Sequence, residues 1–316
     1  MTATLLIAGV PRSGSTWTAR VLSAAPDACL VGEPDNAYEQ PYALAIKRRI
    51  GQYTHPSAAA RDPRFRHLWL QAVDRSPERS ATTRIRRSLA LRVFATLQPA
   101  DVARALDGDV ALRARLAMLM SAPARPSAPR VVVKTVHGSL VLEWIAAQID
   151  ATVIVVQRHP AAVLASWQRM DWIRRPGWRL PREVAVALVD DADDVPADDD
   201  ALSPLEWAAW NLCTLLAHQQ ALTLRHPEWH RVDHEKACVD PHTFFRTLAD
   251  RIGWAWHPDM DAFITRSTRP GTGYDTNRLP DEAIGAWRRE LDARQVAMIA
   301  AVQRRFPLLR RWASTR

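Results

Sequence analysis

Short apolar runs alternate with small polar residues over the first thirty-five positions, in the order expected for strand, turn, helix and strand. Residues 4–8 are apolar and suited to a β-strand, and residues 9–14 form a turn rich in Gly and Ser. Residues 15–25 begin with polar capping residues and stop before Pro26, which predicts a helix. A second short strand is predicted at residues 29–31.

The same pattern returns in the second half of the chain. Two continuous apolar runs at residues 131–133 and 152–156 are short, bounded and followed by helical sequence, as expected for buried parallel strands. A Ser-Pro capping signal opens a long helix over residues 203–224, and residues 229–233 predict a last strand. We therefore predict an α/β fold in which a parallel β-sheet is flanked by helices.

The region between the two strand-forming parts has a different pattern. Residues 36–128 are rich in Ala and Arg and form helical segments broken by Pro and Gly, such as residues 82–97 and 110–120. We interpret this region as a helical insertion within one domain that spans residues 1–316. The amphipathic stretch over residues 281–305 predicts one long last helix that packs on the sheet.

The formal net charge of +8 raises the question of a polyanionic partner. Of the 42 basic residues 39 are Arg, and this bias extends over the whole chain without a nucleic-acid-binding motif. We expect no nucleic-acid partner. Seven Asp in residues 190–200 lack a cation-binding loop pattern, so we interpret them as a solvated loop and expect no metal.

The sequence also bears on the compartment. The three cysteines are scattered, which argues against a disulfide framework, and no apolar run approaches the length of a membrane span. The opening residues lack the pattern of a signal peptide. These features predict a cytoplasmic protein without a membrane span.

Residues 9–16, with the sequence GVPRSGST, have the frame of a phosphate-binding P-loop between a strand and a helix. Ser15 stands where a nucleotide triphosphatase needs the Lys that reaches the β- and γ-phosphates. The backbone N–H groups and the helix N-terminus still suit a phosphate. Arg12 moves the positive charge to the middle of the loop.

With Trp17 included, this loop resembles the 5′-phosphosulfate-binding loop of sulfotransferases that use 3′-phosphoadenosine-5′-phosphosulfate (PAPS). Arg12 and the following segment Gly32-Glu33-Pro34 are similar to the protein-tyrosine and carbohydrate branches of that family. Those branches carry an Arg in the loop and a glutamate base just after the second strand. The resemblance implies a P-loop-like fold, with Arg12 at the transferred group and Glu33 as the base.

A second motif lies at the end of the strand predicted at residues 152–156. Arg158 follows that strand, and Ser166 lies eight residues later on the helix. This arrangement is similar to the family's 3′-phosphate motif, and an Arg fork with a Ser hydroxyl suits phosphate oxygens.

Weaker matches add further candidates. The segment KTVH at residues 134–137 resembles a Lys-Thr-His segment of the cytosolic sulfotransferases with one inserted residue, so His137 is a second candidate base. His234 takes the place of a Tyr that touches adenine, and Arg269 opens a segment loosely similar to the family's closing 3′-phosphate loop. The resemblance thus implies these donor-binding residues: Arg12, Ser13, Gly14, Ser15, Thr16, Trp17, Arg158, Ser166, His234 and Arg269.

The resemblance implies sulfuryl transfer from PAPS to a hydroxyl or amine without a metal. The acceptor remains open among small molecules such as phenolic natural products, glycans, lipids and peptides, and the insertion at residues 36–128 is expected to shape its pocket. The alternative is a nucleotide-dependent kinase or NTPase, which needs a Lys and an acidic Mg²⁺ ligand. Ser15 and Gln157-Arg158 occupy those positions, which favours the sulfotransferase.

Overall fold

The computed structural model describes residues 3–54, 56–73, 128–173, 180–189, 202–269 and 284–312, with positions 85, 89, 92, 96, 195 and 196. Five strands form one sheet in the order β2-β3-β1-β4-β5: β1 (Thr4–Gly9), β2 (Ala28–Gly32), β3 (Arg130–Thr135), β4 (Thr152–Gln157) and β5 (His230–Asp233). The predicted α/β fold is confirmed.

Helices connect and flank these strands. The α-helices are α1 (Ser15–Leu22), α2 (Pro41–Ile50), α3 (Pro56–Arg61), α4 (Pro63–Val73), α5 (Leu142–Ile149), α6 (Pro160–Arg169), α7 (Arg182–Val186), α8 (Pro204–Arg225), α9 (His234–Val239), α10 (Pro241–Arg251), α11 (Pro258–Ser267), α12 (Trp287–Glu290) and α13 (Ala293–Arg304). Two 3₁₀ turns lie at Ser139–Val141 and Pro307–Trp312.

The chain divides into two compact units. The first comprises Met1–Ala8 with Pro26–Val153, and the second comprises Gly9–Ala25 with Ile154–Arg316. In the first unit β1 and β2 both pair parallel with β3, with Leu5 opposite Val132 and Val31 opposite Val133. In the second unit the paired parts of β4 and β5 run parallel, and α8 packs against α6, α13 and the last 3₁₀ turn.

Burial explains why these segments form strands. All six residues of β1 and the last five of both β3 and β4 are buried, which fits continuous Val/Ile/Leu runs in a parallel sheet covered on both faces. The carboxyl ends of parallel strands are where such sheets place their ligand-binding loops. The segments after β1, β2, β3, β4 and β5 are therefore the ones that bear on function.

One prediction about the fold is wrong. The single helix expected over residues 281–305 is interrupted, because Leu291 is extended and Asp292 starts the new helix α13. The Asp292 side chain accepts from the backbone of Gln295, whose side chain in turn accepts from the backbone of Asp292. This reciprocal cap favours a new helix start over continuation. The new helix α13 packs on α6 and α8.

The helical insertion is described only in part. The helices α2, α3 and α4 lie within it, whereas the helices expected at residues 82–97 and 110–120 fall largely outside the described residues. The assignment of one domain to residues 1–316 stays a prediction. In the described part of the chain, no helix is long and apolar enough to cross a membrane.

Candidate functional site

The phosphate loop after β1 has the backbone of an anion-binding turn. The Ser13 N–H donates to the Val10 carbonyl at 3.1 Å, and Arg12 and Gly14 have positive φ of 70° and 96°. Gly14 is the N-cap of α1, whose first turn carries no acidic side chain. The positive end of the helix dipole and the adjoining N–H groups thus suit a negatively charged ligand.

Two glycines are required by close packing around this loop. A Cβ on Gly14 would lie 2.3 Å from Nδ1 of His234, and one on Gly9 would lie 2.7 Å from the carbonyl oxygen of Val156. Neither distance is compatible with a side chain. The glycines in this frame therefore serve both the turn and the fit against β4 and α9.

Three of the predicted residues are joined by hydrogen bonds within the second unit. Nε of Arg12 donates to Oγ of Ser166 at 3.0 Å, and Nη1 of Arg158 donates to the carbonyl oxygen of Arg12 at 3.2 Å. Nε1 of Trp167 holds the loop from below by donating to the carbonyl of Pro11 at 3.0 Å. The structure thus gathers the phosphate loop, the end of β4 and the middle of α6 at one place.

Trp17 and His234 lie side by side, and both side chains are buried. Trp17 is 7% exposed, donates its Nε1 to Oγ of Ser267 at 2.8 Å, and meets His234 and Phe245 edge-on. Burial, with Arg158 and Arg12 nearby, holds the pKa of His234 well below its usual value. His234 therefore stays neutral next to the phosphate loop.

Other predicted positions are less informative. Ser15 is buried and Thr16 is half-buried at the start of α1. Arg269 is exposed, and the residues 270–273 that continue its segment lie outside the described residues. The side chains of Trp167, Trp207 and Trp210 are all buried.

The first unit contains a second cluster, around Glu33. Glu33 follows β2 and has a positive φ of 46°. Its Oε1 pairs with Nζ of Lys134 at the end of β3, and its Oε2 accepts from Nδ2 of Asn36 at 2.7 Å. Burial alone would raise the pKa of Glu33, but Lys134 and His137 outweigh it, so this pKa lies below the usual value.

His137, the other candidate base, belongs to the same cluster. Its Nε2 lies 3.9 Å from Oε2 of Glu33, and its Nδ1 lies 3.4 Å from Nε2 of Gln52. Burial is the largest influence on the His137 ring and holds its pKa below the usual value despite the nearby carboxylates of Asp35 and Glu33. The inserted residue in the KTVH segment thus does not remove His137 from Glu33.

A buried ion pair supports this cluster and was missed from the sequence. Nζ of Lys47 lies 3.7 Å from Oδ2 of Asp35, with both side chains at most 1% exposed. Oδ1 of Asp35 accepts from Oγ1 of Thr135, and Thr135 Oγ1 accepts in turn from the backbone N–H of His137 at 3.2 Å. The Asp35 carboxylate therefore joins α2, through Lys47, to the end of β3, through Thr135.

One sequence signal could have pointed to these residues. Only three of the 42 basic residues are Lys, and two of those three, Lys47 and Lys134, are buried side chains that form ion pairs. In a chain whose basic surface positions are nearly all Arg, a Lys marks a site that needs a compact charge.

The described residues include no group of three or more His, Cys, Asp or Glu side chains that could hold a metal ion.

Comparison with known proteins places this geometry in a family. The model of the "Sulfotransferase family" matches residues 4–258, which include both clusters. The chain belongs to the sulfotransferase family. No curated protein matches it.

Solved sulfotransferase structures are distant from the chain. The sulfotransferase domain of the Synechococcus PCC 7002 olefin synthase is 14% identical, with a TM-score of 0.44 and coverage of 95% of this chain and 94% of that one. The sulfotransferase domain from the curacin biosynthetic pathway is also 14% identical, with a TM-score of 0.44 and coverage of 95% and 97%. Sulfotransferase STF9 from Mycobacterium avium is 14% identical, with a TM-score of 0.40 and coverage of 92% and 78%.

Proposed function

We propose that this member of the sulfotransferase family transfers a sulfuryl group from PAPS to a hydroxyl or amine of an acceptor. The observation that carries the proposal is the hydrogen-bonded chain from Arg158 through the Arg12 backbone and side chain to Ser166. This chain joins Arg12, which is assigned to the transferred sulfuryl group, with Arg158 and Ser166, which are assigned to the 3′-phosphate. The sulfuryl group and the 3′-phosphate are the two features that distinguish PAPS from ordinary adenine nucleotides.

The residues of the second unit fit such a donor. Oγ of Ser13 is buried and has no hydrogen-bond partner among the described residues, as expected of a loop hydroxyl that serves a phosphate. Gly9 and Gly14 let the loop pack closely against Val156 and His234, which keeps the loop in its turn. In the proposed role, the N–H groups of Ser13 to Thr16 hold the 5′-phosphate.

PAPS supplies an activated sulfuryl group on its 5′-phosphate. The guanidinium of Arg12 would stabilise the negative charge that develops at the bridging oxygen as the acceptor attacks sulfur. Ser166 holds Nε of Arg12, which fixes the direction of the guanidinium. Fixed donors of this kind need no reorganisation during the reaction.

For the base we propose Glu33, with His137 as the second candidate. Glu33 is held on both oxygens, by Lys134 and by Asn36, and is ionised across neutral pH because its pKa is lowered. An ionised carboxylate can take a proton from an acceptor hydroxyl or amine. His137 is neutral at the same pH and has the same capacity, so kinetics must separate the two.

A kinase or NTPase is less well supported. The position after β4 where a Mg²⁺ ligand would be needed carries Gln157 and Arg158, and the Gln157 side chain is bound by Arg311. Small molecules, glycans and lipids all remain candidate acceptors. The further expectation of a cytoplasmic enzyme also remains part of the proposal.

Calorimetry with matched nucleotides tests the donor site. Adenosine-3′,5′-bisphosphate should bind more tightly than adenosine-5′-monophosphate, and ATP with Mg²⁺ should bind weakly. Arg158→Ala should cost about 1.5–3 kcal/mol for the bisphosphate, in line with a hydrogen bond to a charged group, and little for the monophosphate. Ser166→Ala should change the same difference by less. Preference for ATP with Mg²⁺ would instead support the NTPase.

A further inference from the structure

A guanidinium near the end of the chain bridges the carboxyl ends of two strands in the second unit. Arg311 donates to Oε1 of Gln157, the last residue of β4, and its Nη1 lies 2.7 Å from Oδ1 of Asp233, the last residue of β5. The residues that follow these two are Arg158 and His234. The Arg311 side chain thus fixes the ends of both strands, and each strand end is followed by a residue proposed to bind the nucleotide.

The other side of Arg158 is held by the same segment. The ring of His159 hydrogen-bonds the backbone of Trp312, while its Nδ1 accepts from the N–H of Ala161 at 3.1 Å. Trp287 stacks on that ring with centroids 4.7 Å apart and an interplanar angle of 14°. Arg158 is therefore flanked on both sides by residues that the last turn contacts.

This last turn, Pro307–Trp312, which we name the C-terminal latch, is itself firmly placed. Leu309 is fully buried and Trp312 is 8% exposed. Nε2 of Gln303 donates to the carbonyl of Leu309 at 3.0 Å, and the Arg311 guanidinium lies 4.0 Å from the centre of the Trp312 ring. A latch seated in this way can transmit a fixed position to the strand ends it holds.

Asp233 prevents Arg311 from acting as a free surface charge. Arg231 and Lys236 also approach this carboxylate, but at 3.8 Å each, whereas Arg311 lies at 2.7 Å. Among the residues that the structure describes, Arg311 is thus the cation with the shortest contact to Asp233. It lies beyond the residues 4–258 that match the family model.

We propose that Arg311 is a positioning residue for the 3′-phosphate site and acts through Arg158. The inference rests on the proposed function, because it takes Arg158 as a ligand of that phosphate. Arg311 holds Gln157 and the latch holds His159, so the peptide that bears Arg158 has a fixed direction. Without Arg311, the Arg158 guanidinium loses the orientation that favours a paired contact with phosphate oxygens.

The test measures nucleotide binding by calorimetry in the full chain. Arg311→Met should weaken adenosine-3′,5′-bisphosphate about tenfold and adenosine-5′-monophosphate less than about twofold, in the range of couplings between neighbouring residues. Arg310→Met is the matched control, since it removes an exposed charge from the same turn and should leave both affinities unchanged. In an Arg158→Ala background, Arg311→Met should have no further effect on the bisphosphate.

Each result has a defined meaning. If wild type does not bind the bisphosphate, the proposed donor site fails, and the positioning role fails with it. If wild type binds but Arg311→Met binds equally well, or loses both nucleotides alike, only the inference about Arg311 is wrong. A further loss in the Arg158→Ala background would show that Arg311 acts on the nucleotide directly, which also overturns it.

Folding of the variants is controlled separately. Should Arg311→Met not fold, Arg311→Lys and Gln157→Leu each remove one of the two strand contacts and should show a smaller loss with the same selectivity for the 3′-phosphate. Equal weakening of both nucleotides by these variants would contradict the positioning role.

Discussion

Arg12 and Glu33, one in each unit, share a backbone conformation that few non-glycine residues adopt. Their φ angles are 70° and 46°, and the other described non-glycine residues with positive φ, Asp150 and Asp171, are of a type that tolerates it. Such a conformation costs on the order of 1 kcal/mol and persists where the surroundings impose it. The two residues that the proposed mechanism needs most are thus held in strained positions.

Arg12→Ala is expected to lower turnover by about 10²–10³, because it removes one group that meets charge in the transition state. Affinity for adenosine-3′,5′-bisphosphate should be nearly unchanged, since the loop N–H groups remain. Arg12→Lys is the matched variant, because it keeps the charge but loses the Nε contact with Ser166. Its turnover should lie between those of wild type and Arg12→Ala. Sulfuryl transfer from PAPS by Arg12→Ala at the wild-type rate would contradict the role of Arg12.

The base is tested by comparing Glu33→Gln with His137→Ala in steady-state kinetics. Glu33→Gln should lower kcat by about 10² or more, whereas His137→Ala should have a smaller effect. Glu143→Gln, an exposed carboxylate on α5, is the control. Full activity of Glu33→Gln with loss in His137→Ala would exchange the two roles.

The pH dependence of kcat/KM follows from the same cluster. A base must be unprotonated, so kcat/KM falls as pH drops through the folded pKa of the base. For Glu33 that pKa is lowered and the loss of activity lies below pH 4.5, whereas for His137 the lowered pKa lies below 6.5. Glu33 as base therefore predicts no acid limb at neutral pH. An acid limb between pH 4.5 and pH 6.5 that disappears in His137→Ala would contradict the assignment to Glu33.

Among the elements, those with local signals were predictable from the sequence. The phosphate loop is contiguous, and the capping residues Ser203 and Asp240 mark the starts of α8 and α10, where each side chain accepts a backbone N–H. The helix α1 ends at Leu22, three residues before the predicted end at Ala25. Its last turn carries no strong stop signal, so the end depends on tertiary packing.

The pairs that complete the candidate sites could not be predicted in the same way. Glu33 and Lys134 are 101 positions apart, and Gln157 and Arg311 are 154 apart. The sequence around a single Lys or Arg near the end of a strand or helix carries no pattern that identifies its partner. The fold brings the two partners together, and a polar group that becomes buried then needs such a partner.

At the level of the elements, the buried Lys47–Asp35 ion pair should stabilise the packing of α2 and of the segment after β2. Lys47→Met leaves a buried carboxylate without its cation and should lower the free energy of unfolding by about 3–5 kcal/mol. Lys47→Met with Asp35→Asn should regain at least about 2 kcal/mol, because no buried charge is then left alone. Denaturant unfolding measures both.

The control for this ion pair is Lys236→Met, since the Lys236 side chain is 75% exposed. Its unfolding free energy should stay within about 0.5 kcal/mol of wild type. If Lys47→Met were no less stable than Lys236→Met, the pair would have no structural role.

At the scale of the whole molecule, three buried or half-buried histidines share one response to acid. The pKa values of His137, His159 and His234 all lie below the usual 6.5, in each case mainly because burial disfavours the charged ring. Nearby Arg side chains lower the pKa of His159 and His234 further. At these three rings the unfolded chain therefore binds more protons than the folded chain below about pH 6.5, and their contribution to stability falls with pH there.

His159 permits a quantitative test of this response, because burial, with Arg288 and Arg158 nearby, lowers its pKa to about 4. The sign is that of a depressed pKa: the stabilisation is present above pH 6.5 and is lost as pH falls toward 4. Between pH 7 and pH 5 this one ring should account for about 1–2 kcal/mol of the loss in unfolding free energy.

The variant His159→Asn keeps an N-cap acceptor for α6 but removes the titrating ring, so its unfolding free energy should change less between pH 7 and pH 5. The exposed His67→Asn is the control and should follow wild type. Urea unfolding at pH 7, 6 and 5 compares the three proteins, and equal pH slopes for wild type and His159→Asn would show that His159 does not contribute to the acid response.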